Sequence, residues 1–471
     1  MNLIKSTIPA LILGGILMGS CKKSFLDLKP YNQVASDIAI TNETDMQAAV
    51  NGAYAALRDV DLFGRTIPLI GDLMSDNVYI AVVNSNRYLQ EFNYSYLNTH
   101  ANSLSTWSDA YNGILRANNI IHADIPATAV SNQLKGEALT LRALQYFYLV
   151  NIWGQPFTVD PNAEGVPIVL EYDPILKPAR NKVSEVYTQI EKDLADAYEL
   201  MTNTSKNSSY ATKYVARALQ ARVALFKGDW NTAKIAAQDV VTNGGYTLTA
   251  SANYVNYWKS PTPVSSKVET IFEITNDAVA NGGFDALAYF YDATGYGDAI
   301  AADALYNLYS ATDVRRNVMT AGTKGGQQVK FVTKYSNSSN AAEKDDTKII
   351  RHAEVLLILA EALARTNDET NAKVYLNMVA QNRDPSFTGY TSTGTALIDD
   401  ILLERRKELA FEGHRYWDLT RTKKDVVRVN LNGNYPSNTP LTLLTTSPKR
   451  LWAIPQSERD ANPNISQNPG Y

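Results

Sequence analysis

Two stretches of this chain can be stable only beside helices like themselves. In Ala211–Tyr246, the residues Val215, Leu219, Val223 and Phe226 recur at three or four, so they line one face of a helix. Gly228 and Asp229 then break the run. Glycine ends helices readily, and an aspartate side chain accepts from the free N–H groups of the helix that follows. Trp230, Ala233, Ala237, Val240 and Val241 line that second helix, and Gly244 and Gly245 close it. A second pair begins near Ile349, with a turn expected at Thr366–Asp368. Two short antiparallel helices with interlocking large and small residues make a tetratricopeptide-like unit. One unit buries too little apolar surface alone, so several must stack. The expectation is an all-α fold of tetratricopeptide-like helix pairs in a single globular body, with irregular loops and a few short strands.

Other segments supply more helices. Asn42–Asp59, Leu104–Ala123 and Val183–Met201 carry amphipathic spacing. Gln133–Trp153 is apolar on most faces and should lie in the core, ended by Gly154 and Pro156. Val60–Ser103 reads as a long irregular region, and loops of that length in a compact domain are commonly functional. Pro161–Ala179 is proline-rich and extended. Glu269–Thr275 and Gln328–Tyr335 read as strand-like, and Asn281–Gly297 is rich in glycine and aromatic residues. The tail, Leu451–Tyr471, should wrap the surface.

Several function classes drop out. A net charge of −4 argues against a nucleic-acid partner, which needs a concentrated basic face. A single cysteine, Cys21, excludes an intrachain disulfide and a cysteine-based zinc site. The histidines His100, His122, His352 and His414 lack metal-ligand spacing, so no metal site is assigned; a structural calcium ion is left open. No phosphate-binding loop, dinucleotide fingerprint or nucleophile elbow occurs, and no cofactor is called for. Residues 1–20 read as a secretion signal, with basic Lys5 and apolar Ile8–Leu17, too short to span a bilayer. Gly19 and Ser20 lead into Cys21, which resembles the lipobox of bacterial lipoproteins, where the cysteine is acylated.

The segment Ile401–Arg421 concentrates charge. Glu404, Glu408 and Glu412 fall at i, i+4 and i+8, so they would share one helical face, with Arg405, Arg406, Arg415 and Arg421 available as partners. Gly413 is placed to end that helix, and His414–Thr420 to begin another. Paired carboxylates can hydrolyse glycosides, but one of them must then have a raised pKa. Adjacent arginines push the other way, so the group reads as structural. Glu354 and Glu361, with Arg351 or Arg365, and Glu137 with Arg142 read alike.

Several blocks occur together in order: Cys21 with FLDLKP at Phe25–Pro30, EALTLRALQYFYLVNIWGQPF at Glu137–Phe157, Lys334–Tyr335, RHAEVLLILAEAL at Arg351–Leu363, ERRKELAFEGHRYWDLTR at Glu404–Arg421 and IPQSERDANPNISQNPGY at Ile454–Tyr471. In this set the chain resembles the SusD/RagB family of outer-membrane nutrient-binding lipoproteins. The resemblance implies a SusD-like body over 21–471, with an N-terminal half at 21–245 and a C-terminal half at 246–471. It implies a lipid anchor on Cys21 at the outer membrane, facing the extracellular side. It further implies a glycan ligand, a SusC-like TonB-dependent transporter as partner and no enzymatic activity; the RagB branch offers a peptide ligand as the alternative.

Sugar binding needs aromatic faces for the apolar side of the ring and polar groups for its hydroxyls. Two stretches supply both, and the family places its ligand face in these regions. Asp72–Tyr96 offers Asp72, Asp76, Tyr79, Arg87, Tyr88 and Tyr94. Phe284–Tyr296 offers Tyr289, Tyr291 and Tyr296.

Overall fold

The computed structural model describes residues 40–204, 207–264, 267–341 and 343–471; the expected leader 1–20, Cys21 and the motif at Phe25–Pro30 lie outside them. The frame is a run of helices: α1 (Glu43–Leu57), α2 (Thr66–Leu73), α3 (Ala101–Ile121), α4 (Ala129–Trp153), α5 (Val183–Leu200), α6 (Lys213–Lys227) and α7 (Trp230–Asn243). Beyond residues 244–351 come α8 (His352–Arg365), α9 (Glu369–Arg383), α10 (Gly394–Glu408) and α11 (Arg415–Arg421). From α3 to α7, each helix packs on the next. Helix α7 then meets α8, although residues 244–351 separate them in sequence, and α8 meets α9. The two helix pairs read from the sequence are therefore consecutive layers of one stack.

Local chemistry sets the breaks. Gly228 takes φ +76, and the Asp229 side chain accepts from the Thr232 amide at 3.1 Å, a cap that contributes about 1 kcal/mol. Asp368 caps α9 in the same way through the Asn371 amide at 3.3 Å. Helix α4 runs through the core with Leu141, Tyr146, Phe147 and Trp153 all buried. Its charged residues do not pair with each other. Arg142 grips Asp193 of α5 with two bonds of 2.8 and 2.7 Å, while Glu137 accepts from the Tyr54 hydroxyl at 2.8 Å. Five residues apart on a helix, Glu137 and Arg142 point in different directions.

Off the stack, the described residues hold eight strands, among them β1 (Val78–Ile80), β2 (Thr270–Ile274), β3 (Ala299–Ala301), β4 (Met319–Lys324), β5 (Gln327–Val332) and β6 (Thr347–Arg351). Four of them form a sheet in the order β1-β3-β5-β4, and β2 pairs antiparallel with β6. Ile349 and Ile350 thus belong to a strand, and the second helix pair starts at His352. The β-branched pair lies in the ladder, Ile350 opposite Phe272. The region Val60–Ser103 is less irregular than its sequence suggests. It holds α2, in which every residue is buried, so no amphipathic period marks it. The tail also departs from a plain surface wrap: Leu451–Ile454 are buried and Gln456–Ala461 form a short helix. Trp153 Nε1 donates to the Ala453 carbonyl at 3.0 Å, which ties the tail to α4.

Candidate ligand-binding site

The carboxylates of the charged segment are consumed inside the protein. Helix α10 ends at Glu408, so Glu412 leaves the helical face it was expected to share with Glu404 and Glu408. Glu408 lies at the centre of three guanidiniums: Arg315 at 3.2 Å, Arg351 at 3.0 Å and Arg383 at 3.0 Å. Glu412 takes Arg351 and Lys334, each at 2.6 Å, and Glu404 takes Arg315 at 2.5 Å. Arg405 and Arg421 turn away from these glutamates to Asp418, and Arg421 also holds Glu361. Glu354 pairs with Arg222 of α6 at 2.6 Å. Burial alone would raise the Glu408 pKa, but Arg383, Arg351 and Arg315 hold it far below the usual carboxylate range. A general acid needs the opposite shift, so this cluster is a scaffold.

Several candidate site residues join that scaffold. Asp72 is fully buried; it accepts from the Gly413 amide at 2.6 Å and from Asn77 at 2.8 Å, and burial lifts its pKa to about 6. Asp76 accepts two bonds from Arg415, at 2.7 and 2.9 Å, and lies 3.3 Å from Arg406. Tyr79 and Tyr291 are fully buried, and Tyr291 stacks on Tyr335 with centroids 6.0 Å apart. Tyr94 is buried under Arg428, its hydroxyl bound to the Met74 carbonyl at 2.8 Å. Tyr88 is buried as well; its hydroxyl meets Arg65 Nε at 2.9 Å and Thr66 at 2.6 Å. In this conformation five of these side chains have no open face for a ligand, and Tyr88, though buried, borders the groove described next.

The remaining candidates, Arg87, Tyr289 and Tyr296, come together at the surface. Pairing of β1 with β3 sets Tyr79 opposite Ile300 and so brings the two candidate stretches side by side. Phe284, 69% exposed, meets Tyr289 edge to face at 5.1 Å, and Tyr289 meets Tyr296 at 5.0 Å. The Arg87 guanidinium caps Tyr296, 4.2 Å from the ring centroid. Arg65 spans from Tyr88 to Asp285, which it holds at 2.8 Å. Beside this string lies a groove of ≈ 590 Å³, whose lining includes Arg65, Asn86, Arg87, Tyr88, Gln90, Glu91 and Asn102. Among the described residues, one set of carboxylates, Asp59, Asp61 and Asp109, brings oxygen atoms within 4.8 Å of one another. No described helix is long and apolar enough to cross a membrane.

Comparison with known proteins decides the family. The profile of the SusD family matches residues 231–471, and that of a family described as starch-binding, associating with the outer membrane, matches residues 24–225. The chain belongs to the SusD family. A SusD-like protein P2 from Formosa agariphila is 27% identical, covering 95% of this chain and 96% of its own. A SusD superfamily structure from Bacteroides thetaiotaomicron superposes with TM-score 0.84 at 29% identity, covering 91% of this chain and 100% of that one. Surface glycan-binding protein A from the same species, in complex with laminarihexaose, gives TM-score 0.72 at 22% identity over 91% of this chain and 100% of that one; at that identity the likeness is one of fold.

In this SusD-family chain, sequence reasoning overlooked Arg65, Asn86, Gln90 and Asn102 as groove residues. Arg65 directly precedes α2 and Asn102 lies in the first turn of α3, so each is a single polar residue at the edge of a helix. One signal was legible: Phe284 is a large apolar residue between Gly283 and Asp285, where no helical or strand period gives it a core to enter.

Proposed function

We propose that this chain is a cell-surface lipoprotein that binds an oligosaccharide or polysaccharide and delivers it to a SusC-like TonB-dependent transporter of the outer membrane. One observation carries the binding step: Phe284, Tyr289 and Tyr296 form an aromatic string at the surface, beside a groove edged by guanidinium and amide groups. Aromatic faces cover the apolar side of a sugar ring, and amides exchange hydrogen bonds with its hydroxyls. The family supports the same reading: one relative of this fold is a glycan-binding protein held with laminarihexaose. The activity is capture and not turnover, because the grouped carboxylates are locked to arginines with lowered pKa values. Acylation of Cys21 with several chains would anchor the body firmly, at about 0.8 kcal/mol per buried CH₂.

The test replaces Tyr289 and Tyr296 together with Ala, leaving buried Tyr291 in place. Titration of a glycan panel should show affinity falling by about ten-fold or more, roughly 1.4 kcal/mol, with helical content unchanged. A glycan bound equally well by wild type and double variant would sink the assignment of the site. Recovery of peptides in preference to every glycan would replace it with the RagB-like reading. Delivery predicts co-purification with a β-barrel transporter from outer membranes.

A further inference from the structure

Arg87 is the charge in this surface that the protein leaves unspent. Among the described residues its guanidinium makes no hydrogen bond and no ion pair; its one contact of note is the Tyr296 ring. The carboxylates around it are all occupied. Asp285 is held by Arg65 at 2.8 Å. Asp298 accepts from the Ser85 amide at 3.0 Å and lies 3.2 Å from Lys324. Glu91 is buried, 3.1 Å from His100 and bonded to Asn102. What the groove therefore offers to solvent is a cation with its donors free.

The backbone under that cation is firmly held. Asn84 donates to the Ala81 carbonyl at 2.7 Å and accepts from the Asn86 amide at 2.8 Å. Ser85 is tied to Asp298 through both its amide and its hydroxyl. Asn86 and Tyr88, on either side of Arg87, take left-handed φ values of +62 and +56, which few side chains adopt without support. Tyr88 has that support, since its hydroxyl is fixed by Arg65 and Thr66. A guanidinium supported on an aromatic ring keeps its N–H edges free in a fixed fork, the geometry that matches a carboxylate or sulfate. Ordering costs that a free arginine would incur on binding are largely met in advance.

We propose that the ligand is an acidic glycan, in which an oxyanion on the sugar, a ring carboxylate or a sulfate ester, docks on Arg87 while the ring lies against the Phe284–Tyr289 face. The inference rests on the glycan-binding reading and adds the charge of the ligand. Arg65 extends the same surface. Its partner Asp285 has a side chain 58% exposed, so a second oxyanion along the polymer can displace it.

The test uses matched pairs that differ in charge and share a backbone. Oligogalacturonate is titrated against its methyl ester, and sulfated galactan oligosaccharides against the desulfated forms. Binding of one charged member about ten-fold tighter than its neutral twin, weakening as salt rises, is the expected result, and the preferred pair identifies the oxyanion. Arg87→Ala should erase that preference, while Arg87→Lys restores part of it. Arg87 contacts little else, so circular dichroism of both variants should match wild type. If neutral and charged twins bind alike, or if Arg87→Ala leaves the preference intact, the charge inference is overturned while glycan binding stands. If no carbohydrate in either set or in the wider panel is bound, both readings fall.

Discussion

Two glycines show how little room the residue scale leaves. A Cβ on Gly71 would lie 1.9 Å from the Gly413 carbonyl oxygen, and Gly413 itself takes φ +82 against Pro68. The Gly413 amide then reaches Asp72 at 2.6 Å, so α2 and the turn before α11 are joined at close range. Gly71→Ala must push that turn away. Overpacking of this kind costs about 1–3 kcal/mol, and urea unfolding should register at least that much. Histidine supplies a pH test. His414 is buried, and desolvation pushes its pKa from 6.5 down to about 4, with Glu354 pulling the other way. Because the folded value lies below the unfolded one, the neutral ring favours the folded state above pH 6.5, and that contribution is lost as pH falls from 6.5 towards 4. Asp72, raised to about 6, has the opposite sign: its protonation favours the folded state as pH falls through 6. The decisive quantity is therefore the difference between wild type and His414→Asn. The drop in melting temperature between about pH 7 and about pH 5 should be smaller in the variant.

Among elements, Glu408 does for the C-terminal part what a core side chain does elsewhere. Arg315 arrives from the turn at Val314–Val318, Arg351 from the end of β6 and Arg383 from the end of α9. One buried carboxylate thus sets the mutual position of three segments and α10. Glu408→Gln leaves three guanidiniums short of charge in the interior, a loss of about 3–5 kcal/mol by analogy with other broken buried pairs. Ligand affinity in whatever still folds should not change, because none of these groups reaches the groove. Stability measured by urea and affinity measured by titration would separate the two effects; wild-type stability with abolished binding would overturn the scaffold reading. The structural role of these carboxylates was legible, because neighbouring arginines lower a carboxylate pKa wherever they come from. The partners were not. Arg405 and Arg406 are adjacent in sequence but point away, to Asp418 and to Asp76, while the guanidiniums that hold Glu404 and Glu408, those of Arg315, Arg351 and Arg383, lie far along the chain.

On the scale of the whole molecule, the continuous stack from α3 to α9 ties the two ends of the chain into one cooperative body, since α7 packs directly on α8. Far-UV circular dichroism and tryptophan fluorescence should therefore follow a single urea transition, with Trp107 and Trp153 on one side of residues 244–351 and Trp417 and Trp452 on the other. Two separated transitions would mean that the layers unfold independently. The sheet works on the side of the candidate site instead, because β1 lies in the first candidate stretch and β3 follows directly on the second, so their pairing draws the two together.

The sequence alone determined the helix pairs, their caps and the SusD-family likeness, because apolar period, turn chemistry and ordered motifs are local properties. It also singled out the two segments from which the proposed site is built. Tertiary structure decided which of their side chains face outward. Tyr79, Tyr94 and Tyr291 entered the interior, as did Asp72 and Asp76; Tyr88 came to form part of the groove wall, while Arg87, Tyr289 and Tyr296 stayed at the surface. A tyrosine is apolar over most of its area and polar at one tip, so its own chemistry permits either place. The choice belongs to what the fold brings against it: Tyr335 over Tyr291, Arg428 over Tyr94, and only Tyr289 and the Arg87 guanidinium against the Tyr296 ring among its ring and cation contacts.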